Sequence, residues 1–183
     1  MVTELQTRRA IWEIDPAHTL VEFSAKHMMF TTVKGRFAGV RGTLWLDDDD
    51  LARSSVQVHI DAASLDTGEP QRDGHLRSVD FLDVERYPAI TFTSTRVESQ
   101  GPDLLRVVGE LTISGITREV ALNTTIQGRA ANPWGKVVAG FTADTSFSRK
   151  EFGLTWNVAL EAGGVLVGDT VKIALEIQVA QQA

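Results

Sequence analysis

An all-β antiparallel barrel of eight strands is the fold this sequence predicts, and three observations carry the prediction. Apolar and polar residues alternate with period two along most of the chain, most cleanly over residues 170–179, which is the pattern of strands with one wet and one dry face. Short turns rich in Gly, Pro, Asn and Asp join these runs, without the spacing of βαβ units. Only the stretch 66–90 reads as helix. Eight strands closed on themselves enclose an interior wide enough for side chains or one small ligand. Two stacked sheets are the alternative, because periodicity alone does not separate closure from stacking.

Residues 1–10 read as a flexible tail, followed by one domain over 11–183. The run 11–15 opens the order, and Asp15-Pro16 turns it into the first long strand, where Val21, Phe23, Ala25 and His27 share a face. Met28-Met29-Phe30 breaks the alternation and suggests an irregular segment over apolar space. The second strand, 33–46, changes parity: Val33, Gly35 and Phe37 are odd, whereas Val40, Gly42, Leu44 and Leu46 are even. Period-two pairing does not survive such a switch without an extra residue, so a bulge is expected near Ala38-Gly39. Asp47 to Asp50 reads as a solvated turn, since the spacing of a calcium loop is absent.

Val56, Val58 and Ile60 mark strand three. The helical insertion between strands three and four follows. Pro70 sits at its first position, Asp66 and Thr67 are candidate caps, and Leu76, Val79 and Leu82 form an apolar stripe. Pro88 forces Tyr87 to extend and ends the helix. Such a segment in an all-β chain is a lid or plug. Strand four starts at Ile90, the turn at 100–103 leads to strand five (105–113), and Ser114-Gly115 makes a tight turn into strand six (120–126). Strand seven covers 137–147. The run 148–157 is irregular, a glycine-rich connection follows, and strand eight spans 171–179.

Composition narrows the function. A chain of 183 residues buries roughly 70% of its unfolded surface without a covalent staple, and it has no cysteine for one. That excludes thiol catalysis, iron-sulfur clusters and cysteine zinc sites. The net charge of −6 without a basic cluster argues against nucleic acid as a partner. No apolar leader or membrane-length run is visible, so a cytoplasmic location and no integral membrane segment are expected. The four histidines, His18, His27, His59 and His75, lack metal-ligand spacing, and no serine has a nucleophile-elbow context.

The notable excess is of large inward groups: Phe23, Met28, Met29, Phe30, Phe37, Phe81, Phe92, Phe141, Phe147, Phe152 and Trp156. They either fill the barrel or line a cavity. Small inward residues, Ala25, Gly35, Gly109, Ala139 and Ala143, favour a channel between them.

Several motifs then point to a family. They are W-x-I-D-x-x-H (Trp12 to His18), V-x-F followed by His27, and V-x-G-x-F-x-x-V-x-G (Val33 to Gly42). The most specific is R-D-x-H-L-R-S-x-D-F-L-D-V-x-x-Y-P-x-I-x-F (Arg72 to Phe92), joined to G-E-L-T-I-S-G-I-T (Gly109 to Thr117). From Trp12 to about Val179 the chain resembles the YceI-like, polyisoprenoid-binding, lipocalin-like proteins. The resemblance implies an extended eight-stranded barrel around a long apolar pocket for an isoprenoid lipid or quinone, with no cofactor and no catalysis. On that reading the pocket is lined by the large residues above with Leu76 and His27, the polar head lies near His27, Arg72 and His75, and Arg72, Asp73 and His75 clamp the helix. Two other readings stay open: an enzyme for a small apolar substrate with His27 or His75 as general base, and a filled barrel with a structural or stress-related role. The sequence also leaves homodimerisation open.

Overall fold

A computed structural model of the protein describes residues 9–183. Its strand segments are β1 (Ala10–Ile14), β2 (Leu20–His27), β3 (Thr31–Phe37), β4 (Val40–Leu46), β5 (Ser55–Asp61), β6 (Leu65–Asp66), β7 (Ala89–Gly101), β8 (Leu104–Ile113), β9 (Ile116–Ala131), β10 (Val137–Ser148) and β11 (Thr170–Gln181). All pair antiparallel in one sheet. β1 with β2, β3 with β4, and β5 with β6 are each one long strand interrupted midway, so the segments amount to an eight-stranded closed barrel. Residues 1–8 of the expected tail lie outside the described residues; Ala10 is already paired with Leu46.

Each interruption has a local cause. Between β1 and β2, the Asp15 carboxylate accepts the Ala17 N–H and meets His18 Nδ1 at 2.8 Å, and the His18 contact holds its pKa below the usual carboxylate value. The first family-like motif is therefore a turn device. It lets β11 pair with β1 (Ile14 with Val179) and with β2 (Val21 with Leu175), which closes the barrel. The bulge expected near Ala38-Gly39 is instead a complete break between β3 and β4. There the Gly39 N–H donates to Ser64 Oγ at 2.9 Å and the Asp61 N–H to the Gly39 carbonyl at 2.7 Å. Contact with the Ala62–Ser64 turn supplies partners that the ladder cannot, so the parity switch marked a real discontinuity of another kind. True register shifts occur at Ser94/Arg96 and Gly140/Phe141.

The helix is shorter than the periodicity suggested. α1 is Pro70–Arg77, and its cap is Glu69, whose carboxylate accepts the N–H groups of Gln71 and Arg72, rather than Asp66 or Thr67. Leu82 and Val84 then donate to the carbonyls of Leu76 and Arg77. Those bonds satisfy the helix C-terminus by folding the chain back, so residues 78–88 are tight turns. The apolar stripe breaks with it: Leu76 and Leu82 face the interior while Val79 is 80% exposed.

Two inward glycines do not leave the gaps expected of them. The Phe23 ring covers Gly35, and the Phe92 ring covers Gly109, where a Cβ would come within 2.6 Å of the ring. Strand-glycine gaps are filled from the neighbouring strand by aromatic packing. Ala25, Ala139 and Ala143 do border open space.

The two most specific motifs meet at one hairpin. Ser114 (φ 49°) and Gly115 (φ 76°) form the β8–β9 turn, Ser114 Oγ donates to the Leu82 carbonyl at 3.0 Å, and the Tyr87 ring lies against Gly115. A Cβ on Gly115 would sit 2.7 Å from Tyr87 Cε1. Gly115→Ala is expected to cost roughly 1–3 kcal/mol through left-handed strain and displacement of Tyr87. Denaturant unfolding checks this; an unchanged midpoint would mean that the turn and the 78–88 segment are not coupled.

Candidate ligand cavity

The barrel interior encloses a cavity of about 330 Å³. An apolar cavity of about 150 Å³ already stays dry and accepts a small hydrocarbon. The wall is built from the dry faces of all eight long strands and is closed at one end by Leu76, Phe81 and Leu82 from α1 and the turns after it. Its polar side chains are Thr19, Ser54, Ser55, Thr124, Thr145, Arg129 and Arg149. No carboxylate, histidine or lysine lines it among the described residues. Such a wall offers burial and no proton-transfer group.

Of the expected pocket residues, Phe23, Phe37, Leu76, Phe81, Phe92, Phe141 and Phe147 line the cavity. The others do not. His27 is exposed at the end of β2, where strand parity no longer has an interior to face. Met28, Met29 and Phe30 form the β2–β3 turn and are 38%, 52% and 79% exposed. Phe152 is wholly buried in the wall behind Phe147, ring centres 5.0 Å apart. Trp156 packs against Phe81 and His75 from outside.

The helix clamp acts through a shared partner. Arg72 and Asp73 do not pair with each other; both converge on Thr67. Arg72 donates from Nε to Thr67 Oγ1 (2.7 Å) and from Nη2 to its carbonyl (2.9 Å), while the buried Asp73 carboxylate accepts the Thr67 N–H and hydroxyl. His75 stands edge-on to Phe81 and Trp156 and meets Asp80 Oδ2 at 2.9 Å. A residue not singled out from sequence, Arg77, donates to the carbonyls of Ala63 and Leu65 at 3.0 and 2.7 Å and ties α1 to the β5–β6 break.

Two arginines finish the cavity, and neither was legible as functional. Arg149, 3% exposed, spends its guanidinium on the connection before β11: Nε donates to Gly168 O, Nη1 to Leu154 O and Trp156 O, and Nη2 to Val167 O. Burial pushes its pKa down, against the pull of Asp169. The irregular run 148–157 and the glycine-rich connection thus become one wall section held by Arg149, with Asn157 adding a reciprocal pair of bonds to the Val167 backbone. Arg129 lies toward the other end, paired in two-pronged fashion with Asp48 at 2.8 and 3.1 Å and stacked 4.9 Å over the Trp12 ring. That pairing lowers the pKa of Asp48 and raises that of Arg129. Trp12 itself is fully buried, and its Nε1 finds no acceptor among the described residues.

Comparison with known proteins agrees with this architecture. The profile of a family described as YceI-like domain matches residues 12–179. Protein YceI of Escherichia coli is 39% identical over 137 residues, covering 75% of this chain and 71% of its own. Among solved structures, BcnA of Burkholderia cenocepacia superposes with a TM-score of 0.78 at 25% identity, covering 90% of this chain and 98% of its own. A structure described as a polyisoprenoid binding domain from Saccharophagus degradans, implicated in plant cell wall breakdown, gives 0.71 at 16% identity, covering 95% and 100%. It shares the fold.

Arg149→Met keeps the volume and removes the donors, leaving the Leu154, Trp156 and Gly168 carbonyls to find water, while the Val167 carbonyl keeps Asn157 Nδ2. We expect a loss of roughly 2–4 kcal/mol and faster amide exchange across residues 154–168. Unchanged stability and exchange would show that the connection holds itself.

Proposed function

Since the chain belongs to the YceI-like domain family, we propose that it binds and carries one amphiphile with an isoprenoid tail, a prenyl quinone or a precursor of one. The observation that supports this most is the cavity wall: apolar throughout the barrel, with its polar groups few and, in Arg149 and Arg129, already committed to protein partners. Each buried CH₂ contributes about 0.8 kcal/mol. A few isoprene units therefore exceed the cost of desolvation, and affinity is set by the ordering of the tail. The polybasic, hydrogen-bond-rich wall that a sugar or nucleotide requires is not what these strands present.

In this reading the tail extends along the barrel toward Trp12 and Arg129, and the head stays at the α1 end beside His75 and Asp80. Of the three residues expected near the head, His75 stacks on a wall residue, Phe81, and His27 meets the wall only through its backbone bridge to Val167. His27 is exposed at the strand end and Arg72 is engaged with Thr67, so this reading gives the head-group role to His75. The same placement weakens the enzymatic alternative, since a general base must come within hydrogen-bond reach of substrate and neither His27 nor His75 borders the cavity. A filled structural barrel is hard to reconcile with 330 Å³ of interior space.

Organic extraction of the purified protein followed by mass spectrometry is expected to yield a prenyl lipid in near-stoichiometric amount. Ala143→Phe, which places a ring in the cavity, is expected to cut that yield at least tenfold without unfolding the barrel. An empty wild-type protein that also ignores added quinones, or undiminished lipid in the variant, would sink the proposal.

A further inference from the structure

The β2–β3 turn presents large apolar side chains where neither packing nor backbone chemistry calls for them. Met28 (φ 49°) and Met29 (φ 66°) occupy both central positions of the turn, closed by the Phe30 N–H to His27 carbonyl bond at 3.1 Å. Two successive left-handed residues favour Asn and Gly. Here methionines accept the strain, and with Phe30 they point into solvent. The turn is braced rather than loose: the Met28 N–H donates to the Leu166 carbonyl at 2.8 Å, His27 bridges Val167, and the Met29 thioether lies on Gly164. The brace is itself a small hairpin, with Leu166 N–H bonded to Val158 O, and it adds the exposed Val158 and Val165 to the same projection.

The strand rows nearest this projection are locally basic, while the acids Glu119, Asp144 and Glu151 stand farther along the same groove. On the outer faces of β2, β3 and β11, the register rows nearest the turn are Lys26 with Thr32, then Lys172, Ser24 and Lys34, then Ala174, Glu22 and Arg36. These rows hold four cations and one carboxylate, in a protein of net charge −6. One acid, Glu161, stands in the turn of the bracing hairpin. The projection rises at the barrel end covered by α1, since Gly35 of β3 touches both Phe23 and Thr67, and the bracing segment carries Trp156 against Phe81.

We propose that the Met28-Met29-Phe30 turn and the 158–165 hairpin dock the protein on an anionic lipid bilayer, with the α1 end of the barrel facing it. This rests on the reading of the cavity as a carrier of a membrane lipid. An apolar tip that enters the acyl boundary above a band of lysines and arginine is the arrangement that interfacial binding requires. A second copy seated on the same patch would set two cationic bands against each other. The Met28-Met29 strain then has a use, holding this apolar tip in place at the α1 end of the barrel.

The test is co-sedimentation of the full-length protein with vesicles of phosphatidylcholine alone or mixed with phosphatidylglycerol. Wild type is expected to pellet with the mixed vesicles and several-fold less with the neutral ones. Met28→Asn with Met29→Gly suits the turn backbone, so this variant, combined with Phe30→Ser, should keep the thermal midpoint and the extractable lipid yet lose at least tenfold in vesicle binding. Lys26→Glu with Lys34→Glu should abolish the preference for the anionic surface. Wild type that ignores both vesicles while its barrel holds lipid overturns the docking and leaves the carrier reading intact. Vesicle binding by an emptied barrel supports docking. A wild type that dimerises through the patch, shown by a monomeric turn variant and no vesicle binding, overturns it.

Discussion

β11 is hydrogen-bonded along one edge to β10 and along the other to both β1 and β2, and the barrel exists because that second edge is satisfied. Left open, two long edge strands would face water with unpaired N–H and C=O groups. One strand bridges two segments only because Asp15 and His18 turn the chain between them, with the Asp15 N–H bonded back to the Gln178 carbonyl at 2.9 Å. Closure decides what the interior is. Every dry face points at the same enclosed space, and its contents follow from how the side chains divide it.

That division is uneven. Phe23 and Phe92 lie flat over glycines of the adjacent strand and so add to the wall, whereas Ala25, Ala139 and Ala143 carry too little volume to meet across the barrel. Charge is added at the ends, beside the Leu76, Phe81 and Leu82 that close the α1 end. Arg149 is buried and saturated by carbonyls, which makes it a structural cation with nothing left for a ligand. Arg129 is shared with Asp48 at the surface. An interior lined by no carboxylate or histidine among the described residues suits a hydrocarbon chain, and the proposed place for the head is the α1 end with His75 and Asp80.

The strands were legible because alternation is a local signal that closure reinforces; even the break at Ala38-Gly39 announced itself as a parity change. The extent of α1 was not, since Leu76, Val79 and Leu82 fit a helix period although Leu82 and Val84 fold back to cap the preceding carbonyls. Arg149 was hidden for a different reason: its partners are backbone carbonyls of a glycine-rich connection, and carbonyls have no letter in a sequence. Met28, Met29 and Phe30 misled through their type. Large apolar residues usually go inward, but a two-residue turn at a strand end has no inside, and the cost of exposing them is the signal that survives.

The central claim is that the cavity takes up a prenyl chain by burial of apolar surface. Calorimetric titration of the delipidated protein with a short-chain prenyl quinone at several temperatures measures this directly. Saturable one-to-one binding with a negative heat-capacity change is the expected result, because apolar burial leaves that signature. Heats that fail to saturate, or binding with no heat-capacity change, would contradict it.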